Sequence, residues 1–139
     1  MRNVGKAAEM LRKTQRGFPR FQAGYGGERG ETLLSTQVLQ EFYVAVTCKL
    51  AVPLDEIVAE RALCDLALLP VISVSPSMIL SAVGRSRRDR LSFWDALMIE
   101  SALCGHADRV YTEDLQHGRV FDGVQIENPF LGMADPPVQ

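Results

Sequence analysis

The segment TLLSTQVLQEFYVAVTCKL, Thr32–Leu50, joins a short strand to a helix, and the fold class follows from that junction. Thr32–Ser35 predicts the strand. Thr36–Leu50 predicts a helix that is apolar on nearly every side, and a helix of this kind is buried on several sides. The segment therefore predicts a strand and a helix that both belong to the interior of the protein.

The same alternation continues towards the carboxyl terminus. Helices are predicted at Leu54–Leu69, from Ser75-Pro76 to about Gly84 and at Ser92–Cys104, with short strands at Val71–Val74, Val110–Thr112 and Val124–Ile126. Ser75 followed by Pro76 is a strong helix start, because serine caps the first turn and proline suits its first position. Helices that alternate with short β-branched runs indicate an α/β protein with a parallel sheet flanked by helices on both faces.

Towards the amino terminus the pattern weakens. Gly5–Gln15 suits a short amphipathic helix, and the glycine-rich residues 16–31 show no period of either kind, which predicts a loop. We expect residues 1–130 to form a single domain and the proline-rich residues 131–139 to form a disordered tail.

The charge balance limits the partners. A net charge of -2 gives no overall attraction to nucleic acid, so a nucleic-acid partner requires a local basic patch. The run Arg85, Arg87, Arg88 and Arg90 is the one concentrated basic stretch of the sequence and is our candidate for RNA contact. A solvated loop between two helices is the alternative interpretation.

The absence of targeting signals and the spacing of the cysteines both predict a cytoplasmic protein. The sequence has no signal peptide and no apolar run of the roughly 20 residues that a membrane span needs, which predicts a cytoplasmic protein with no membrane partner. Its three cysteines are far apart and lack a CxxC spacing, so we expect reduced and mostly buried thiols.

Four acidic residues, at three places in the sequence, stand out from this background. Glu41 lies within the apolar helix, where a carboxylate must find a partner, ionise reluctantly or bind a cation. The alternative is that Glu41 reaches solvent at the helix edge beside Gln37 or Lys49. Taken alone, this residue favours the alternative, because isolated buried acids are uncommon.

Asp95 fits a capping box with Ser92, in which the acidic residue completes the first helical turn. Asp95 also heads the apolar stripe of its helix, so it is directed along the buried face. Glu113 and Asp114 follow the predicted strand Val110–Thr112, and the carboxyl ends of strands are where open α/β sheets bind ligands. Asp114 could alternatively cap a following turn.

Taken together, these acids predict a cation site. Carboxylates that converge on one pocket repel each other, and a divalent cation relieves the repulsion. Oxygen ligands without histidine or cysteine select Mg²⁺ or Mn²⁺. A site of this type activates water and neutralises a phosphoryl transition state, so phosphodiester hydrolysis is the chemistry that we expect.

Three segments carry a resemblance to a known family: LSTQVLQEFYVAVTCKL, LSFWDALMIESAL and VYTEDLQHGRVFDGVQIENPF. They closely resemble PIN-domain proteins, in particular the VapC-like toxin ribonucleases of bacterial toxin–antitoxin pairs. The resemblance covers Thr32 to Phe130 and implies an α/β three-layer sandwich. It also implies a Mg²⁺-dependent endoribonuclease, a homodimer and inhibition by a cognate antitoxin protein.

Matched motif by motif, the resemblance assigns Glu41, Asp95 and Asp114 as catalytic metal ligands. Glu113 would be a further metal ligand, and Thr112, with Ser92, an accessory residue. The family begins with a central strand whose aspartate is the first metal ligand, and this sequence has no such segment. We therefore expect a PIN-like domain that is incomplete at its amino terminus, with an open seam in the sheet and reduced activity.

Two other functions stay open at this point. A catalytically inactive module of the same fold would still bind an antitoxin-like partner through its helical hairpin. A phosphoacceptor receiver domain also clusters acids on an α/β fold, but it needs a lysine at the end of a late strand. The lysines of this sequence, Lys6, Lys13 and Lys49, lie in no predicted strand.

Overall fold

The junction of strand and helix in Thr32–Leu50 forms as its sequence predicts. The computed structural model describes residues 24–26, 32–128 and 131, and strand β2, Thr32–Ser35, leads directly into helix α1, Thr36–Val44. The Ser35 hydroxyl caps α1 by accepting a hydrogen bond from the Val38 N–H at 3.3 Å. The helix then widens into a π-helical segment, Ala45–Lys49, where the sequence predicts continuous α-helix to Leu50.

Three further helices follow: α2, Glu56–Leu66, α3, Pro76–Asp89, and α4, Phe93–Cys104. Each begins at a side-chain cap, and the Ser75-Pro76 start of α3 is confirmed. Helix α3 continues past Gly84 to Asp89 and ends at Arg90, whose φ of 55° is left-handed. The basic stretch is therefore the last turns of a helix and its cap, where the sequence predicts a connection.

The strands form one mixed sheet. The remaining strands are β1, Gly24–Gly26, β3, Val71–Ile72, β4, Arg109–Tyr111, β5, Val120–Phe121, and β6, Val124–Glu127. Their order is β3-β2-β1-β4-β6-β5. Strands β3, β2, β4 and β6 run in one direction, as predicted, whereas β1 and β5 run against their neighbours.

Strand β1 corrects the expectation of an open seam. It lies between β2 and β4 and pairs antiparallel with both, with Tyr25 opposite Leu33 and Val110. The sequence predicts a glycine-rich loop here and a parallel sheet that lacks its middle strand. The structure is α/β with a short antiparallel strand in that place, and the PIN-like sandwich stays a prediction.

Helix α4 is buried on two sides. Met98, Ile99 and Ala102 belong to the main core, which also contains Val110 of β4 and Ile126 of β6. On its other side, Ala96 and Leu97 pack with Met78 and Ala82 of α3 in a second apolar cluster. This double burial fixes the rotation of α4 about its own axis.

Arg85 ties this layer of the fold together. It is only 4% exposed, and its guanidinium donates to Asp89 at 2.9 Å, to Glu100 of α4 at 2.7 Å and to Asp122 in the β5–β6 turn at 2.6 Å. The hydrogen bond from Arg85 holds the pKa of Asp122 below its usual range. One arginine therefore forms hydrogen bonds with three carboxylates from three parts of the chain.

The remaining expectations have mixed outcomes. The predicted helix Gly5–Gln15 and residues 132–139 of the predicted tail lie outside the described residues. The cysteines Cys48, Cys64 and Cys104 are free, but they are exposed, so the expectation of mostly buried thiols was wrong. Within the described part of the chain, no helix has the length and apolarity to cross a membrane.

We predict that Arg85→Met lowers the free energy of unfolding by about 2–3 kcal/mol, because it leaves carboxylates without their charged donor. Urea unfolding followed by circular dichroism measures this change. Arg87→Met is the matched control, since Arg87 is exposed on the same helix, and it should unfold like the wild type. Equal stability of the two variants would refute a structural role for Arg85.

Candidate functional site

The site is built at the carboxyl edge of the sheet. Strands β2 and β4 flank β1 and run in the same direction, so Ser35 and Tyr111 end at the same edge. Helix α1 starts from that edge and carries Glu41 in its second turn, while Asp114 follows β4 by three residues. Strand β1 lies between them and begins at this edge with Gly24, opposite Tyr111. It therefore contributes no carboxylate there.

The turn after β4 is shaped by Thr112. Its N–H donates to the Glu127 carbonyl oxygen at 3.1 Å, which extends the pairing of β4 with β6. Its hydroxyl, in a side chain that is 2% exposed, accepts a hydrogen bond from the Asp114 N–H at 3.1 Å. Asp114 is exposed, and neighbouring Glu113 is partly buried, which raises the pKa of Glu113. Thr112 thus holds the acidic pair at the edge.

The first turn of α4 carries Asp95 as the capping box predicts. The Ser92 hydroxyl accepts a hydrogen bond from the Asp95 N–H at 3.1 Å, so Ser92 positions the residue through its backbone. The Asp95 carboxylate is partly buried. Ser92 itself is exposed, and its observed role is to cap the helix.

Gln37 joins α1 to the start of α4. Its Nε2 donates to Glu41 Oε1 at 3.1 Å and to the Trp94 carbonyl oxygen at 3.4 Å, and its side chain is only 3% exposed. Both neighbours are acceptors, so the amide must present its nitrogen to them. The sequence predicts Gln37 only as a possible neighbour of Glu41 at the edge of the helix. Its spacing of four residues on a buried helix is the signal that identifies this role.

Two buried oxygens of this group have no hydrogen-bond donor among the described residues: Gln37 Oε1 and Glu41 Oε2. Buried polar atoms in proteins are nearly always paired, so an unpaired one calls for an explanation. These two lie on adjacent turns of one helix, and two further buried oxygens without a partner, Asp65 Oδ2 and Asp108 Oδ1, lie elsewhere in the described residues.

The electrostatics place Asp95 and Asp114 near Glu41. Burial raises the pKa of Glu41, and the hydrogen bond from Gln37 opposes that effect. The charges of Asp114 and Asp95 raise the pKa further, whereas Lys49 lowers it. Asp95 and Asp114 are therefore each within electrostatic range of Glu41.

The predicted arginines separate into different roles. Arg85 is enclosed by carboxylates and is not presented to solvent, so it does not belong to an RNA-binding surface. Arg88 forms two ion pairs: its Nε lies 3.4 Å from Asp89 Oδ1, and its Nη2 lies 4.0 Å from Asp122 Oδ2. Arg87 and Arg90 are exposed, and neither forms an ion pair within the described residues. The RNA-binding prediction is thereby narrowed to Arg87, Arg88 and Arg90.

The donor set suits a hard divalent cation. Within residues 24–26, 32–128 and 131, no group of three or more His, Cys, Asp or Glu side chains is close enough to hold a metal ion. Mg²⁺ does not require such a cage, because it commonly binds one or two carboxylates and keeps several waters. The unpaired Glu41 Oε2, with Asp95 and Asp114 in electrostatic range, fits that mode of binding.

Comparisons with protein-family models, with curated proteins and with solved structures found no match to this chain.

We predict that Glu41→Gln stabilises the fold at pH 7 by on the order of 1 kcal/mol, because it removes a charge that burial opposes. A raised pKa means that the folded chain binds this proton more tightly than the unfolded chain. The stability that Glu41 contributes is therefore complete below its usual pKa of 4.5 and is lost as the pH rises through the raised value.

Urea unfolding of both proteins between pH 4 and pH 8 tests this expectation. The gain from Glu41→Gln should be largest at neutral pH and should disappear below pH 4.5, the usual pKa. Glu60→Gln, on the exposed face of α2, is the matched control and should match the wild type throughout. A Glu41→Gln protein that is less stable at pH 7 would contradict the prediction.

Proposed function

We propose that this protein is a Mg²⁺- or Mn²⁺-dependent endoribonuclease of the PIN-domain, VapC-like type that hydrolyses RNA phosphodiester bonds. One observation carries the proposal: Glu41 presents a buried, unpaired carboxylate oxygen within electrostatic range of Asp95 and Asp114. The resemblance of the three sequence segments supplies the reaction class.

Each proposed site residue has a distinct part in this function. Glu41 would hold the cation through Oε2 together with one of its neighbours, Asp95 or Asp114, and with water molecules, while Glu113 beside Asp114 would add negative charge. Gln37 keeps Glu41 Oε1 engaged and so leaves Oε2 for the ligand. Thr112 and Ser92 act through backbone hydrogen bonds that fix Asp114 and Asp95. When bound, the cation would lower the pKa of a water molecule and offset charge on the phosphoryl oxygens.

The protein's own charges determine how RNA would approach. The negative charges of Glu41, Asp95 and Asp114 repel a phosphodiester until positive charge is added. Arg87, Arg88 and Arg90 supply positive charge at the end of α3, which the chain connects to the first turn of α4 by Leu91 and Ser92. We propose that these arginines contact the phosphate backbone, and that the nuclease acts in the cytoplasm.

A second function is favoured by a different surface. Helix α3 exposes Ile79, Leu80 and Val83 at 41%, 72% and 40%, an apolar patch on a helix that also packs against α4. Exposed apolar patches on soluble proteins often mark partner surfaces. We propose as the alternative an inactive PIN-fold module that binds an antitoxin-like protein, or a second copy of itself, through this helical pair.

We predict that the purified chain cleaves RNA only with Mg²⁺ or Mn²⁺ and that EDTA stops the reaction. Asp95→Asn should lower the cleavage rate at least 100-fold, because it weakens both the cation site and the electrostatic stabilisation. Electrophoresis of a labelled oligoribonucleotide measures the rate.

Glu60→Gln serves as the control, because this exposed carboxylate of α2 lies outside the site, and it should cleave like the wild type. Cleavage that persists in EDTA, or that is unchanged by Asp95→Asn, would exclude the metal mechanism. A folded chain that does not cleave with either cation but forms a stable complex with a protein partner would favour the alternative function.

A further inference from the structure

The tryptophan of the chain is exposed beside the candidate site. Trp94 is the only tryptophan in the sequence, and its side chain is 60% exposed although it lies in the first turn of a helix that is otherwise deeply buried. Tryptophan offers a large apolar ring, and most such rings are well buried in folded proteins. The exposed ring of Trp94 is therefore available to a ligand.

The ring is supported from below. The Phe93 and Trp94 rings meet edge to face, with their centroids 5.2 Å apart and their planes at 70°. Phe93 in turn packs against the apolar cluster between α3 and α4. Phe93 thus supports the Trp94 ring on one side, while most of the Trp94 side chain is exposed to solvent.

The backbone of Trp94 is one side chain away from Glu41. Its carbonyl oxygen accepts a hydrogen bond from Gln37 Nε2, and the same nitrogen donates to Glu41 Oε1. The next residue is Asp95. Arg90, exposed at the end of α3, precedes Trp94 by four residues. Trp94 therefore precedes Asp95 directly, and its backbone is joined to Glu41 through Gln37.

We propose that Trp94 is a base-stacking residue that holds one unpaired base of single-stranded RNA next to the scissile phosphate. Stacking on aromatic side chains is how proteins commonly hold unpaired RNA bases, and it tolerates any base because every base has a π face. The inference rests on the proposed function, since it places the base beside the proposed cleavage site. A protein partner on Trp94 is the other occupant, which the experiment distinguishes.

Intrinsic fluorescence tests the proposal directly, because all tryptophan emission comes from Trp94. The experiment uses the full chain with Asp114→Asn to slow cleavage, in Mg²⁺, titrated with a 12-nucleotide single-stranded RNA. We expect saturable quenching. The same RNA annealed to its complement, or carrying abasic sites at every position, should quench much less, since its phosphates remain but its unpaired bases do not.

Substitutions supply the second arm. In the same background, Trp94→Leu should raise the Kd for single-stranded RNA roughly 5- to 150-fold, and Trp94→Phe, which keeps an aromatic face, should raise it less than about 5-fold. Fluorescence anisotropy of labelled RNA measures the Kd. Leu80→Ala is the matched control, because it removes a more exposed apolar side chain, on α3, and should leave the Kd unchanged.

Each outcome decides the proposal. Equal binding of abasic RNA, or a Trp94→Leu Kd within twofold of its parent, overturns it. A change in oligomeric state on Trp94→Leu without a change in Kd overturns it in favour of a protein interface. Base-dependent quenching by a wild-type chain that does not cleave RNA would support the stacking role while rejecting the proposed nuclease. Cleavage with an unchanged KM in Trp94→Leu would reject only the stacking role.

Discussion

The double burial of α4 is the constraint on which the site depends. Met98, Ile99 and Ala102 must face the main core, while Ala96 and Leu97 must face α3. A rotation by one residue, about 100°, would expose these side chains and bury polar ones. The first turn of α4 is therefore held in one orientation. Gln37 connects α1 to this turn, because its side-chain amide donates a hydrogen bond to the Trp94 carbonyl oxygen.

Much of the architecture could be predicted because it is written in local patterns. The strand Thr32–Ser35 and the helix start at Ser75-Pro76 follow from periodicity and capping chemistry, which need no distant partner. The β5–β6 hairpin was not predicted, although its sequence carries the signal. Asp122 and Gly123 form its two-residue turn with positive φ, and Asp-Gly is a strong signal for such turns.

Strand β1 could not be predicted in this way. Glycine has low strand propensity, and nothing in Gly-Tyr-Gly indicates a central position in a sheet. The strand exists because β2 and β4 both present backbone groups that must be paired, and the requirement comes from them. Local propensity reports the conformation that a segment prefers on its own. The position of β1 is set instead by the backbone groups of β2 and β4, which need hydrogen-bond partners.

The arginine run shows that sequence alone also limits the prediction of functional residues. In sequence, Arg85 looks like its basic neighbours. On α3, however, it continues the buried row of Met78 and Ala82, and its partners Glu100 and Asp122 lie 15 and 37 residues further along the chain. Helical spacing could have separated Arg85 from the exposed arginines. Only the tertiary structure could identify the acids that neutralise it.

The carboxylate of Glu41 is where stability and function oppose each other. Leaving a buried polar atom unpaired costs about 1–3 kcal/mol, and α1 otherwise packs well, with Val38 and Phe42 fully buried. An apolar residue at position 41 would remove that cost. A local violation of packing rules in a helix that obeys them elsewhere is typical of a binding site. Gln37 strengthens this interpretation, because it satisfies one carboxylate oxygen of Glu41 and leaves both the other oxygen and its own carbonyl for a ligand.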